Sequence, residues 1–233
     1  MPSRPTFYIV LGPYRSGTSL ISRIIQKLGA NPGPEVDLYE PTDWNPSGYI
    51  QRPDITAFNT KLIINAGGSL SEPPSPEIIA ERTSPEVFRD LDLTWTMPPN
   101  NPLIKDPRFC FTLSTWQRYG IFKNHQLAVV RITRNLESNT ASALAHYDVK
   151  NYCGNDPATA RKVLSAYDAA ASWHEKNLNV PCHNVKYETL ISNSAEEIKR
   201  LADFMDVKDE KIIQAAIEAS LEVKSRVSHN ISG

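Results

Sequence analysis

A short stretch near the N-terminus combines a cation, hydroxyl groups and a glycine in an order suited to holding a phosphate. The stretch lies in the segment GPYRSGTS and consists of Arg15, Ser16, Gly17, Thr18 and Ser19. Arginine offers a charged fork of donors, and hydroxyls add neutral donors. The outline is that of the GxxxxGK[ST] phosphate loop, but Thr18 occupies the lysine position. The stretch predicts an anion site, with a turn that binds nothing as the alternative.

The elements on either side of this loop are those that a phosphate site requires. Phe7 to Leu11 is a continuous apolar run, typical of a strand buried on both faces of a parallel sheet. Apolar residues then recur at helical spacing, at Leu20, Ile21, Ile24, Ile25 and Leu28. Gly29 is suited to end that helix. The loop is therefore predicted to join a strand to a helix N-terminus, which presents free N–H groups to an anion.

ATP or GTP chemistry is the less favoured interpretation of the loop. It requires the loop lysine on the phosphates, a hydroxyl on magnesium and usually an acidic residue after an apolar strand. Ser19 suits the second role, but Thr18 cannot serve the first, and the apolar run QLAVV leads into Arg131. A nucleotide kinase is kept as an alternative.

A second pair of donors follows a later strand. Arg134 comes directly after the predicted strand Gln126 to Thr133, and Ser142 follows eight residues further along a predicted helix. Arginine can grip a phosphate with two donors, and a serine on the next helix adds a neutral one. A solvent-exposed charge and a small packing residue are the alternatives for each position taken alone.

In this order the two groups resemble the phosphate motifs of sulfotransferases that use 3′-phosphoadenosine 5′-phosphosulfate. The resemblance implies that the 5′-phosphosulfate is bound by Arg15, Ser16, Gly17, Thr18 and Ser19. It implies that Arg134 and Ser142 hold the 3′-phosphate. Leu136 departs from the pattern, because the family usually has proline there.

Three further segments resemble a bacterial-type branch of that family, and the whole resemblance spans residues 7–206. They are Asn45 to Gln51 (NPxGY followed by an aromatic and Glu in the branch), Leu103 to Arg108 (KDPR) and Val185 to Leu190 (RYEDL). The resemblance implies transfer of a sulfuryl group from the nucleotide to a hydroxyl or amine, without a metal ion. It implies that Arg15 and Lys105 stabilise charge on the leaving phosphate. For Lys105, an ion pair with Asp106 at the strand end is the alternative.

The general base is where the sequence departs most from the branch. Gln51 stands where the branch usually has glutamate, and an amide is a poor proton acceptor. Substitute carboxylates are Glu40, Asp43, Asp54 and Asp106. The resemblance favours Glu40 and Asp43, because other sulfotransferase branches have a catalytic glutamate in the loop after the first helix; surface carboxylates are the alternative. His146 is the best placed histidine, one turn beyond Ser142. A relative that binds the nucleotide and transfers sulfate poorly is the alternative function.

The acceptor and the C-terminal segment receive weaker predictions. Trp44 and Tyr49 flank the region expected to contact a small-molecule or carbohydrate acceptor. Lys224 and Arg226 are candidates to close over the 3′-phosphate, as a basic C-terminal loop does in the family.

Composition limits the class of protein. The chain has 233 residues with 25 basic and 26 acidic side chains, and its net charge of −1 argues against a nucleic-acid partner. The longest apolar runs are too short for a membrane span, and the first one is interpreted as a strand rather than a signal peptide. The three cysteines lack metal or disulfide spacing, which favours a reduced, cytoplasmic protein.

Strands and helices alternate along the chain, which predicts one α/β domain over residues 1–233 with the three-layer fold of P-loop proteins. Its central, mostly parallel sheet is flanked by helices and carries the ligand at the carboxyl ends of its strands. Strands are predicted at 7–11, 103–105, 126–133 and 184–187. Helices are predicted at about 18–28, 54–65, 86–93, 111–119, 137–147, 156–178, 194–205 and 209–221, with a capping box of Ser194 and Glu197.

Overall fold

The computed structural model describes residues 4–43, 45, 48–97, 100–153 and 155–229, without the side chains of 147, 148, 152 and 222–229. Four strands are β1 (Thr6–Leu11), β2 (Leu103–Lys105), β3 (Gln126–Thr133) and β4 (Cys182–Lys186). The helices are α1 (Thr18–Lys27), α2 (Pro53–Asn65), α3 (Pro76–Arg82), α4 (Phe109–Arg118), α5 (Leu136–Ala145), α6 (Tyr147–Cys153), α7 (Pro157–Asn177), α8 (Tyr187–Ser192), α9 (Ser194–Phe204) and α10 (Glu210–His229). Short 3-10 helices cover Glu35–Asp37, Pro85–Phe88 and Thr94–Thr96.

The sheet is entirely parallel, with the strand order β2-β1-β3-β4. Val10 of β1 pairs with Lys105 of β2, and Leu11 pairs with Arg131 of β3. Because the strands are parallel and in this register, the loop after β1, Lys105 and the residues after β3 meet at one edge of the sheet. The predicted α/β fold class is confirmed.

The two faces of the sheet are covered by different helices, which makes three layers. Along β1, Phe7, Ile9 and Leu11 pack into one buried cluster with residues of α2, α4 and α7. Tyr8 and Val10 pack into a second cluster with residues of α1, α9 and α10. The apolar run after the N-terminus is thus continuous because both of its faces are buried, as expected for a central parallel strand.

Several local predictions differ from the structure. The helix predicted at 86–93 is wrong: only Pro85–Phe88 forms a 3-10 helix there, and Asp92 caps the next turn by accepting from the N–H and hydroxyl of Thr94. The helix predicted at 137–147 is divided into α5 and α6. The predicted capping box is wrong, because Asn193 is the N-cap of α9 and Ser194 is already helical.

The extent of the domain, residues 1–233, stays a prediction. No helix within the described part of the chain combines the length and apolarity needed to cross a bilayer.

Candidate functional site

The loop between β1 and α1 contains two residues with positive φ, of which Arg15 adopts this conformation at a cost and Gly17 does not. Gly17 is the N-cap of α1 with φ of 99°, and Arg15 has φ of 63°, which is uncommon for a residue with a side chain. A Cβ atom on Gly17 would lie 2.5 Å from Cδ2 of Tyr187. Strained backbone of this kind collects at ligand sites, where the surrounding structure holds it.

Replacing Gly17 with alanine is expected to weaken binding of a phosphate ligand at this loop by about tenfold or more. Left-handed backbone costs a residue with a Cβ roughly 1–2 kcal/mol, and the contact with Tyr187 adds to that. Calorimetric titration with 3′-phosphoadenosine 5′-phosphate measures the change. Gly29→Ala is the control, since Gly29 also has a positive φ of 106° but nothing lies within 4 Å of its added Cβ. Equal affinities for both variants would contradict a role of the Gly17 contact in binding.

The loop hydroxyls have separate tasks. Ser16 is fully buried and donates its hydroxyl to the carbonyl of Pro13 at 2.7 Å, which stabilises the turn itself. Thr18 and Ser19 open α1, where the first N–H groups have no acceptor within the helix. A ligand at this end is therefore offered backbone donors and the positive end of the helix dipole.

Arg15, Ser142 and Arg134 are brought together although they are far apart in sequence. Arg15 Nε donates to Ser142 Oγ at 3.3 Å. Arg134 donates from Nη1 to the carbonyl oxygen of Arg15 at 2.9 Å, and its guanidinium lies 4.4 Å from the centroid of the Tyr187 ring. The β1 loop and the β3–α5 connection are thus linked directly, and the predicted donors for two phosphates occupy one edge of the sheet.

Sequence analysis assigned no role to Tyr187 and Glu188, and the structure gives both a position in this site. Tyr187 lies against Arg134 and against Gly17. Glu188 accepts from the backbone N–H of Asn135 at 2.9 Å, next to Arg134. The segment after β4 therefore contacts both segments that are predicted to bind phosphate, a position that only the fold reveals.

Lys105 is almost completely buried at the end of β2, and it faces an amide. Its Nζ lies 2.5 Å from Oε1 of Gln51, which in turn donates from Nε2 to Thr56 Oγ1 at 2.8 Å. Burial lowers the pKa of Lys105 to about 7; Asp106 opposes the shift, and the cations Arg108 and Arg15 add to it. Buried lysines are rare unless they are paired, and here the amine donates to the Gln51 amide.

The Asp106 carboxylate is bound by Arg108 and Asn59. It pairs with Nη1 of Arg108 at 3.0 Å and accepts from Asn59 Nδ2 at 3.1 Å, and its side chain is fully buried. The Asn59 oxygen accepts from Thr112 and from Trp116, each at 2.9 Å. This network fixes the end of β2 and the start of α4, so Asp106 has a structural role.

The remaining candidate bases lie in different surroundings. Asp54 is paired with Arg52 at 2.9 Å, and His146 is only 3% exposed. Glu40 and Asp43 are exposed, in the segment between α1 and α2. Trp44 lies outside the described residues, as do the side chains of Lys224 and Arg226. Among the residues that the structure describes, no group of three His, Cys, Asp or Glu side chains could hold a metal ion.

Arg131, at the position where an acidic metal ligand was sought, is a structural clamp. Its guanidinium pairs with Glu175 at 2.6 Å and Asp168 at 2.8 Å, and also donates to Ser172 at 2.8 Å. All three partners belong to α7, and only 12% of the arginine side chain is exposed. The residue binds α7 to β3 rather than a ligand.

A scan against protein-family models and a search of curated proteins find no match to this chain. Among solved structures, the chain is similar to the sulfotransferase domain from the curacin biosynthetic pathway. The TM-score is 0.54 at 17% identity, over 91% of this chain and 77% of that chain. A sulfotransferase from Alicyclobacillus acidocaldarius matches with a TM-score of 0.46 at 15% identity, over 97% and 96% of the two chains.

A mouse sulfotransferase complexed with PAP matches with a TM-score of 0.45 at 12% identity, over 91% of this chain and 64% of the mouse chain. At identities this low, such likeness concerns the fold. The chain therefore shares the fold of the curacin-pathway domain, a central parallel sheet flanked by helices.

Proposed function

We propose that this chain is a sulfotransferase that moves a sulfuryl group from 3′-phosphoadenosine 5′-phosphosulfate to a hydroxyl or amine of a small molecule or carbohydrate. The observation that carries the proposal is the contact of Arg134 with the Arg15 carbonyl, together with the Arg15–Ser142 hydrogen bond. These contacts join residues that we propose as donors for two separate phosphates. A nucleotide with a 3′-phosphate and a 5′-phosphosulfate is the ligand that uses both.

The loop and α1 are proposed to bind the 5′-phosphosulfate through the Arg15 and Ser19 side chains and the N–H groups of Gly17, Thr18 and Ser19. Ser16, whose N–H and hydroxyl both donate to the carbonyl of Pro13, is proposed to hold the turn in the binding conformation. Arg134 and Ser142 are proposed to bind the 3′-phosphate. Resemblance to the sulfotransferase motifs and the meeting of these residues at one sheet edge both support the assignment. We also propose that the protein is cytoplasmic, forms a single domain, has no nucleic-acid partner and requires no metal ion.

The reaction would be an in-line displacement at sulfur. The acceptor oxygen forms a bond to sulfur while the bond to the bridging oxygen of the phosphosulfate breaks, and that oxygen leaves on the 5′-phosphate. Arg15 and Lys105 would stabilise the negative charge that develops there, which is the main task of a protein in such transfers. The acceptor proton would pass to Glu40 or Asp43, the exposed carboxylates of the segment after α1.

A nucleotide-binding relative with poor transfer is the second candidate. It is favoured by Gln51, whose amide oxygen accepts from Lys105 where a carboxylate base would otherwise stand. Assay of sulfate transfer to a panel of alcohols and amines separates the two functions. Transfer to any acceptor supports the enzyme, and nucleotide binding without transfer supports the relative. If Glu40→Ala and Asp43→Ala both keep full transfer, neither carboxylate is the base.

Replacing Arg134 with alanine is expected to weaken binding of 3′-phosphoadenosine 5′-phosphate by about 1.5–3 kcal/mol, because a charge-assisted hydrogen bond is lost. Calorimetric titration checks this. Arg161→Ala is the matched control, because Arg161 forms an exposed ion pair with Glu137 on the surface of α7. An unchanged affinity of the Arg134 variant would remove the 3′-phosphate role.

A further inference from the structure

A cavity of about 640 Å³ lies between α1 and the segment that connects α1 to α2. On the helix side it is lined by Arg23, Gln26 and Lys27. Ser19, Arg23 and Lys27 are spaced four residues apart, so they share one face of α1. The cavity therefore lies along the helix face that begins at the proposed phosphosulfate site, and Arg23 is only about 6 Å along the axis from Ser19.

The opposite wall combines apolar and aromatic side chains with two carboxylates. The apolar and aromatic residues are Val36, Leu38, Tyr39, Pro41, Tyr49 and Ile50, and the carboxylates are those of Glu35 and Glu40. The rings of Tyr39 and Tyr49 lie edge to face with centroids 6.4 Å apart. Val36 is 85% exposed on this wall, so its side chain is accessible to an occupant of the cavity.

The charges around the cavity cancel. Arg23 and Lys27 contribute two positive charges, and Glu35 and Glu40 contribute two negative ones. A site built for an anion or a cation has an excess of the opposite charge, because an unmatched charge is costly to desolvate. The balance favours an occupant without a net charge.

The wall opposite α1 is held in place by contacts within the protein. Arg52 pairs with Asp37 at 3.3 Å, and the N–H of Tyr39 donates to the carbonyl of Gln51 at 2.9 Å. Arg52 also lies 4.7 Å from the centroid of the Trp95 ring. These contacts join the wall residues Asp37 and Tyr39 to the residues that precede α2 and to Trp95. The wall is thereby ordered in the free protein, which reduces the entropy lost on binding.

Tyr49 connects the cavity to the proposed reaction centre. It lines the cavity, and its ring centroid lies 5.9 Å from Nζ of Lys105. Ile50, the next residue, has φ of 47°, an outlier for a β-branched residue. This strained residue lets Tyr49 border the cavity while Gln51 bonds to Lys105, and such strain is typical of functional sites.

We propose that this cavity holds the sulfuryl acceptor, and that the acceptor is an uncharged small alcohol with an apolar body. This inference rests on the proposed function. The volume lies within the range of small-molecule sites, which combine apolar walls with a few polar groups. The apolar body packs on Val36 and the tyrosine pair, and its hydroxyl points toward Lys105 and the N-terminal end of α1.

Titration of naphthol, followed by its fluorescence, tests the inference on wild-type protein with and without 3′-phosphoadenosine 5′-phosphate. Val36→Asp is expected to weaken naphthol binding by about tenfold, since an aliphatic contact is lost and a charge is introduced. Ile64→Asp is the matched control, because Ile64 is 56% exposed on α2 and does not line the cavity. It is expected to leave the affinity within twofold.

Hydroxynaphthoate and glucose complete the experiment. Tighter binding of the anionic hydroxynaphthoate or of glucose than of naphthol overturns the assigned class of acceptor. Equal naphthol affinity of the Val36→Asp and wild-type proteins, or no naphthol binding, overturns the cavity as the acceptor site. Failure of the nucleotide to bind, with naphthol binding sensitive to Val36→Asp, would instead count against the proposed function.

Discussion

Replacing Lys105 with methionine is expected to reduce the rate of sulfuryl transfer by about 10²–10³-fold. Loss of one preorganised donor at a developing oxyanion has an effect of this size in other enzymes. Methionine fills the buried position without leaving a charge there, so the fold is expected to tolerate it. Single-turnover transfer with saturating nucleotide measures the change. Lys61→Met on the exposed face of α2 is the control.

A proton balance separates this role of Lys105 from a structural one. With a pKa of about 7 in the free protein, Lys105 is mostly neutral at pH 8. A bound polyanion favours the ammonium form, so nucleotide binding at that pH should take up close to one proton. Calorimetry in two buffers with different ionisation enthalpies measures the uptake. If the uptake persists in the Lys105→Met variant, the linkage belongs to another group.

His174 is expected to lower the free energy of unfolding by about 1.4 kcal/mol for each unit that the pH falls between its unfolded and folded pKa values. This side chain is 1% exposed on α7, and burial lowers its pKa to about 3, with a smaller opposing effect of the Cys110 backbone. In the unfolded chain the same histidine binds a proton below about pH 6.5. The unfolded state therefore binds more protons between these two values, and stability falls as the pH falls.

His174→Leu should remove this contribution. Urea unfolding at pH 7 and pH 4.5 is expected to show a loss of stability that is about 2.7 kcal/mol smaller in the variant than in the wild type. His183→Leu is the comparison, because His183 on β4 is only partly buried and lies 3.4 Å from Glu197. Parallel pH curves for the wild type and His174→Leu would contradict the argument.

The strand, loop and helix that carry the candidate phosphate site could be predicted from sequence because their determinants are local. An apolar strand, a loop with Arg15 and Gly17, and an amphipathic helix follow one another within 22 residues (7–28). The strands at 103–105 and 126–133 were predicted at their observed bounds for the same reason, since buried parallel strands are apolar on both faces. α3 (Pro76–Arg82) is absent from the sequence-based helices. Pro76 occupies the first turn, and Ser75 caps the helix by accepting from Ile78.

The contacts that join distant segments of the candidate site could not be predicted from sequence. Lys105 and Gln51 are 54 residues apart, and Arg134 and the Arg15 carbonyl are 119 apart. No periodicity or capping rule reports such pairs, because they arise from the strand order of the sheet. For Lys105 the sequence suggested an ion pair with Asp106 as the alternative to stabilising a leaving phosphate. The structure instead pairs Asp106 with Arg108.

Arg131 also limits how this fold can change its chemistry by mutation. A metal-dependent phosphate enzyme would need a carboxylate near the end of β3, and Arg131→Asp would supply one in a single step. That step would place three carboxylates together, because Asp168 and Glu175 would lose the guanidinium that now neutralises them. A carboxylate at position 131 would be largely buried, because the Arg131 side chain is 12% exposed, and it would repel the partly exposed Asp168 and Glu175. Arg131→Asp is therefore expected to destabilise the packing of α7 on β3 unless Asp168 or Glu175 is replaced as well.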